Sequence, residues 1–136
     1  MSSIILPDAP ISQNDDHVTV FVVDWEMMHL NVPNVDFGQM IAELYFFWVF
    51  KSIPAGLWML EAMVDAYGPV TEEFAYRTLI QIGAHLVCVI TDLSRVPPEQ
   101  LEKSITVGKE LIVHAWNKHR RWFEKSELAC IFRQVK

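Results

Sequence analysis

The sequence has little of several things, and each shortage excludes something. Only two of its 136 residues are cysteine, Cys88 and Cys130, far apart and in no CxxC pair. That rules out a disulfide framework or a cysteine-rich metal site and is the pattern of reduced, buried thiols in a cytoplasmic protein. Basic residues are outnumbered, 11 Lys and Arg against 17 Asp and Glu, for a net charge of -6. No face is rich enough in cations for a general nucleic-acid binder. Long hydrophobic runs are missing as well. Leu44–Phe50 is closed by Lys51, and the run from Leu79 to Ile90 is broken by Gln81 and His85. A spanning helix needs about 20 apolar residues, so neither predicts a membrane segment. Met1–Asp16 has neither a basic start nor a long apolar stretch, so no signal peptide is expected. Five glycines form no phosphate-cradling loop: Gly108-Lys109 follows Lys103 at the position where a P-loop has its first Gly.

What is present is ample apolar material, 51% of the chain, with 21% charged, enough for one domain over residues 1–136. Ile4-Ile5-Leu6 followed by Pro7-Asp8-Ala9-Pro10 reads as a strand entering a turn, and Val18–Val23 as a buried β-branched strand. Together they predict a hairpin. At Asp36 the period becomes helical. Asp36 with Gln39 resembles a capping box, and Pro54 ends that helix. A second helix runs from Ala55 to Tyr67 and stops at Gly68-Pro69. Thr71, with Glu72 and Glu73 in the first turn, opens a third, to about Asp92. Pro97-Pro98-Glu99 opens a fourth, with Leu101, Ile105, Gly108, Ile112, Ala115, His119 and Trp122 expected along one face. Leu128–Val135 reads equally as a helical turn or a strand. The order predicts an α+β fold: an N-terminal β-hairpin (residues 1–35 with the following loop), then a mostly helical part (36–136).

The residues that point to chemistry are few. A carboxylate at the end of an apolar strand, Asp24, needs a partner, and a magnesium ion bridging phosphates is one. A simple strand-exit cap is the plainer reading. Lys118, Arg120, Arg121 and Lys125, interrupted by Trp122 and Phe123, read as a solvated helix face. His114 and His119 lie five apart. A helical zinc pair prefers four, with further ligands, so they and His85 read as core or surface histidines.

The series Val22-Val23-Asp24-Trp25-Glu26, then Asp36-Phe37-Gly38 opening a helix, resembles the metal-binding segment of the aminoglycoside phosphotransferase and choline kinase family. Gln39–Tyr45, Tyr67-Gly68-Pro69 and Leu111–Trp116 are similar to its fungal members, so the resemblance covers nearly the whole chain. It implies the C-terminal lobe of a kinase-like fold. Asp24 would be the metal ligand, holding Mg2+ at the phosphates of ATP. Asp36 would brace the catalytic loop, Glu26 would anchor the adjacent loop and Trp25 would pack. In that family an Asp orients the acceptor hydroxyl, and an Asn five residues later binds metal just before a short apolar strand. With Ile4–Leu6 as that strand, Ser3 stands at the Asn and the Asp would precede Met1, so no catalytic residue carries over. Two functions are then expected in turn: part of an ATP-dependent small-molecule phosphotransferase, incomplete alone, or a non-catalytic helical module binding an apolar metabolite or a protein partner. A small-molecule substrate and a homodimer or second-lobe partner are implied, since Ile4, Ile5, Phe21 and Trp25 would otherwise lie open.

Overall fold

The computed structural model describes residues 4–5, 17–23, 32–92 and 97–136. The chain divides into two compact units, Met1–Leu30 and Asn31–Lys136. In the first, strands β1 (Ile4–Ile5) and β2 (Phe21–Val22) pair antiparallel, Ile4 opposite Val22 and Ile5 opposite Phe21. In the second, α1 (Pro33–Lys51), α2 (Ala55–Tyr67), α3 (Glu72–Asp92) and α4 (Pro98–Trp116) are followed by the short α5 (Arg120–Phe123). A 3-10 turn, Glu127–Ala129, then leads into α6 (Cys130–Arg133).

The α+β expectation is therefore corrected: the fold is an all-helical bundle. A ladder of two residue pairs is too short to act as a sheet layer, and an isolated two-stranded ribbon is marginal by itself. Of the segment expected as a buried strand, Val18, Val20 and Phe21 are exposed and Val23 is half-buried. Four apolar side chains in a row carry β-propensity, but among the described residues it yields only the two-pair ladder of β1 with β2.

Helix α1 starts three residues before the expected Asp36. Pro33, with φ already fixed and no N–H to satisfy, takes the first helical position, and Val32 precedes it in extended conformation. Asp36 thus lies in the first turn rather than at the cap, where its charge still favours the helix dipole. Helix α2 matches its expected bounds, and Gly68 ends it with φ 87°. Thr71 caps α3 as expected, its Oγ1 accepting the Phe74 N–H at 3.1 Å. Helix α4 stops at Trp116, short of the expected Trp122. The Asn117 side chain donates to the Val113 carbonyl at 2.8 Å, and Lys118 turns left-handed at φ 54°. The buried stripe of α4 is Ser104, Gly108, Leu111 and Ala115, while Ile105 is exposed. The ambiguous tail resolves into the 3-10 turn, α6 and one bridge from Val135 to Val70.

The core runs through the bundle as Ile41 of α1, Leu60 of α2, Leu79, Ile82 and Leu86 of α3, Leu111 of α4, and Phe123, Leu128 and Ile131 near the C-terminus, all fully buried. Side chains of this size contribute about 1.5–3 kcal/mol each on burial. Helix α3 is the central element. Its Gly83 meets Gly108 of α4 so closely that a Cβ added at Gly83 would stand 2.5 Å from the Gly108 carbonyl oxygen. Only hydrogen fits at that crossing. Phe37, Tyr67 and Phe74 cluster with ring centroids 4.2–5.9 Å apart and tie the start of α1 to the end of α2 and the start of α3. Cys130 is buried, which pushes its thiol up to about 11, whereas Cys88 is exposed and departs from the expected pair of buried thiols. Among the described residues no helix is long and apolar enough to cross a membrane.

Candidate functional site

A cleft of ≈ 530 Å³ opens where three elements meet: the start of α1 (Val32, Asn34), the first half of α3 (Glu73, Tyr76, Arg77, Ile80, Gln81) and the end of α4 (Ala115, Trp116, with Lys118 beyond it). That volume lies within the range of small-molecule sites. Its position follows from the packing. Gly38 lets α1 close onto Gln81 and the Thr78 carbonyl, so the turn before it, with Asn34, ends beside α3. The Gly83–Gly108 crossing sets α4 against α3 two turns further on. The two helices bracket the α3 face that carries Tyr76, Ile80 and Gln81.

One wall is aromatic. Trp116 is 76% exposed at the last residue of α4, a large apolar surface that the fold itself leaves uncovered. The floor is Tyr76, buried, with its hydroxyl donating to the Lys118 carbonyl at 3.1 Å. That bond fixes the left-handed turn after α4 and thereby the place of the Lys118 ammonium. The charged rim is Glu73, which receives Arg77 Nε at 2.8 Å and Lys118 Nζ at 3.3 Å. The Arg77 hydrogen bond, with Lys118 second, holds the Glu73 carboxyl below its ordinary range. With one carboxylate facing two cations, the rim keeps a net positive charge. The arrangement can stack a flat or apolar group on Trp116 and hold polar substituents with Asn34, Gln81 and the Arg77 guanidinium.

A second cleft, of ≈ 550 Å³, is lined by Tyr45, Val107, Glu110, Arg121, Trp122, Lys125 and Glu127 among others. Burial, helped by Glu127 and Glu110, pushes the Tyr45 phenol up to about 12, so it stays neutral and is unsuited to proton transfer near neutral pH.

Of the residues that the sequence singled out, Asp24 and Glu26, with Trp25, lie outside the described residues. Asp36 is exposed in the first turn of α1, and no described residue meets its carboxylate. Among the described residues no group of three or more His, Cys, Asp or Glu side chains could hold a metal ion, so they assemble no magnesium set. His85 is a core histidine as expected: it is buried, and its Nε2 meets Glu43 Oε1 at 2.8 Å. Lys118, Arg120, Arg121 and Lys125 are all exposed, as a solvated face requires. Sequence reasoning passed over the cleft. Asn34, Tyr76, Arg77 and Ile80 carry no motif, and Glu73, Gln81, Ala115, Trp116 and Lys118 stand out in the sequence for reasons unrelated to a cleft.

Comparison with known proteins gives one likeness. No family model matches the sequence, and no solved structure matches it. The chain is similar to a curated protein named Phosphotransferase FrzJ, from Cladobotryum sp, at 24% identity over 131 residues. The match takes in 96% of this chain but 34% of that protein, so the chain spans about a third of the relative's length. The comparisons thus establish a likeness to a phosphotransferase that runs along nearly the whole chain.

Proposed function

We propose that the chain serves as the acceptor-side part of an ATP-dependent small-molecule phosphotransferase. The observation that carries this reading is the alignment of 131 residues with a protein named as a phosphotransferase. The order of the Asp24 and Asp36 motifs in the sequence supports the same assignment. Asp24 is the residue that would hold Mg2+ at the nucleotide phosphates, since a hard carboxylate oxygen suits that ion. When bound, the ion would screen the charge of the transferring phosphoryl group. Asp36 and Glu26 would brace the loops on either side. The cleft between α1, α3 and α4 is the acceptor site in this reading. Trp116 would provide a stacking surface, and Arg77, Gln81 and Asn34 would orient polar groups so that a hydroxyl is presented at a fixed place, which is where positional catalysis gains most.

A second reading is favoured by one specific feature. Phe47, Ile53, Trp58 and Met59 are all exposed around the α1–α2 connection, Trp58 by 62%. Such side chains suit a helical module that binds a protein partner or an apolar metabolite. Phe21, 57% exposed, belongs to the same account of a homodimer or second-lobe partner.

Saturation-transfer NMR of the purified chain with a panel of amino-sugar and choline-like compounds separates the two. The acceptor-side reading expects at least one compound to receive transfer, with the signal lost in Trp116→Ala and kept in Trp58→Ala. Transfer that depends on Trp58 instead, or no transfer to any compound, contradicts it.

A further inference from the structure

The end of α4 carries a second arrangement of side chains, on the turn that also lines the cleft. His114 lies in the last turn of α4, and the chain then turns back: Lys118 N donates to the Ala115 carbonyl at 3.1 Å, and His119 N to the His114 carbonyl at 3.0 Å. This turn is why the five-residue spacing, wrong for a continuous helix, brings the two imidazoles together. Their Nδ1 atoms are 3.0 Å apart. Trp122, from α5, stacks on the His114 ring with centroids 4.3 Å apart and planes 12° from parallel. The stack leaves the Nδ1 edge of His114 directed at His119.

We infer that His114 and His119 form a two-histidine site for a divalent transition metal, bound through both Nδ1 atoms. Of two neutral imidazoles whose Nδ1 atoms face each other, one carries the proton on Nδ1; moving that proton through solvent to the same ring's Nε2 leaves both Nδ1 lone pairs free to bind one metal ion. Metal–nitrogen bonds of about 2.0–2.1 Å at a tetrahedral angle put the two nitrogens about 3.3 Å apart. Opening from 3.0 Å needs only a tilt of two side chains, with no change in the backbone turn. Imidazole pairs suit zinc, copper and nickel, with cupric ion the tightest of these. Among the described residues no third carboxylate, thiol or imidazole completes the group, so water fills the remaining positions and the metal exchanges readily. The nearby cations do not forbid it, because two of them already have partners. Lys118 pairs with Glu73 at 3.3 Å, and Arg120 with Glu124 at 2.9 Å and Glu72 at 3.6 Å. A bound ion would clamp the turn that also supplies Ala115, Trp116 and Lys118 to the cleft.

Trp122 makes the site readable. Cu2+ added to the full chain quenches tryptophan emission through the ring stacked on His114, and Zn2+ competes for the same site. His119→Ala, an exposed change that leaves the core alone, weakens the quench-linked affinity by at least about tenfold, and His114→Ala does the same. Trp122→Phe removes the quench but keeps the binding seen by calorimetry. Electron paramagnetic resonance of the Cu2+ complex shows two imidazole nitrogens in the wild type and one in His119→Ala. Equal Cu2+ affinity in the wild type and His119→Ala, or the same nitrogen count in both, overturns the assignment and moves the metal to other ligands.

Discussion

The two sides of α3 are built differently. Toward α4 the contact is close and chemically complete. Gly83 and Gly108 meet backbone to backbone, Val87 packs beside Gly108, and the Ser104 hydroxyl donates to the Leu86 carbonyl at 2.9 Å. Toward α1 the contact is polar and incomplete. Thr78, Gln81 and His85 recur along one stripe, yet among the described residues the buried Thr78 Oγ1 and His85 Nδ1 meet no hydrogen-bond partner. An unsatisfied buried polar atom costs about 1–3 kcal/mol, so the α1 side gives up stability that the α4 side keeps. The cleft opens between the two seams, taking Asn34 and Gln81 from one and Ala115 and Trp116 from the other. A rigid seam fixes one wall, and a less optimised one carries the polar groups.

The largest effect should come from the tight side. Gly83→Val drives a branched side chain into the Gly108 carbonyl oxygen and Ile112, both set by α4 itself. It should destabilise the protein by about 3 kcal/mol in urea unfolding. On the other side, Gly38→Ala places its Cβ 2.7 Å from Gln81 Cβ and 2.8 Å from its Cγ. Gln81 Cβ is fixed by its backbone and the Thr78 carbonyl oxygen stands at 3.1 Å, so α1 must back off slightly; with one methyl added rather than a branched side chain, the loss should be about 2 kcal/mol. Equal losses at the two positions would erase the contrast between the seams.

Thr78→Val sharpens the comparison in the opposite direction. It keeps the shape and removes the hydroxyl without a partner, and should stabilise by about 1 kcal/mol in the same measurement. A loss of stability would mean that the hydroxyl is satisfied after all.

The smallest effect is a pH dependence. The hydrogen bond from His85 is the main cause that lowers the Glu43 carboxyl from its ordinary 4.5. A lowered folded-state value means that the contribution is present above the unfolded value and is lost as pH falls through the folded one. The stability gap between the wild type and Glu43→Gln should therefore hold at neutral pH and shrink in acid below 4.5. Glu43 is half exposed, so the gap itself is small. A gap that stays constant on acidification would detach Glu43 from His85.

How far the sequence spoke depended on punctuation. Pro54, Gly68-Pro69 and Thr71 bounded α2 and opened α3 correctly because each acts on the backbone locally. The start of α1 lies three residues before the Asp36–Gln39 pair because Pro33 takes the first helical position. The end of α4 was misread because Ala115, His119 and Trp122 keep a helical period across a turn made by Asn117 and Lys118. That same error hid the meeting of His114 with His119. The apolar run Val18–Val23 suggests a buried strand, yet Val18, Val20 and Phe21 are exposed, because burial depends on what packs against a segment and no local pattern encodes that. The cleft was invisible for a related reason: Asn34, Arg77, Gln81 and Trp116 converge only once Gly38, Gly83 and Gly108 set the helix approaches. The phosphotransferase likeness, by contrast, was legible in the ordered motifs from Asp24 onward.

The most direct test of that likeness addresses Asp24. Mn2+, which stands in for Mg2+ and is visible by electron paramagnetic resonance, can be titrated with ATP into the wild-type chain and into Asp24→Ala. The account predicts that the wild type depletes the free-ion signal in an ATP-dependent manner and that Asp24→Ala binds at least about tenfold more weakly. Identical titrations of the two proteins would contradict it.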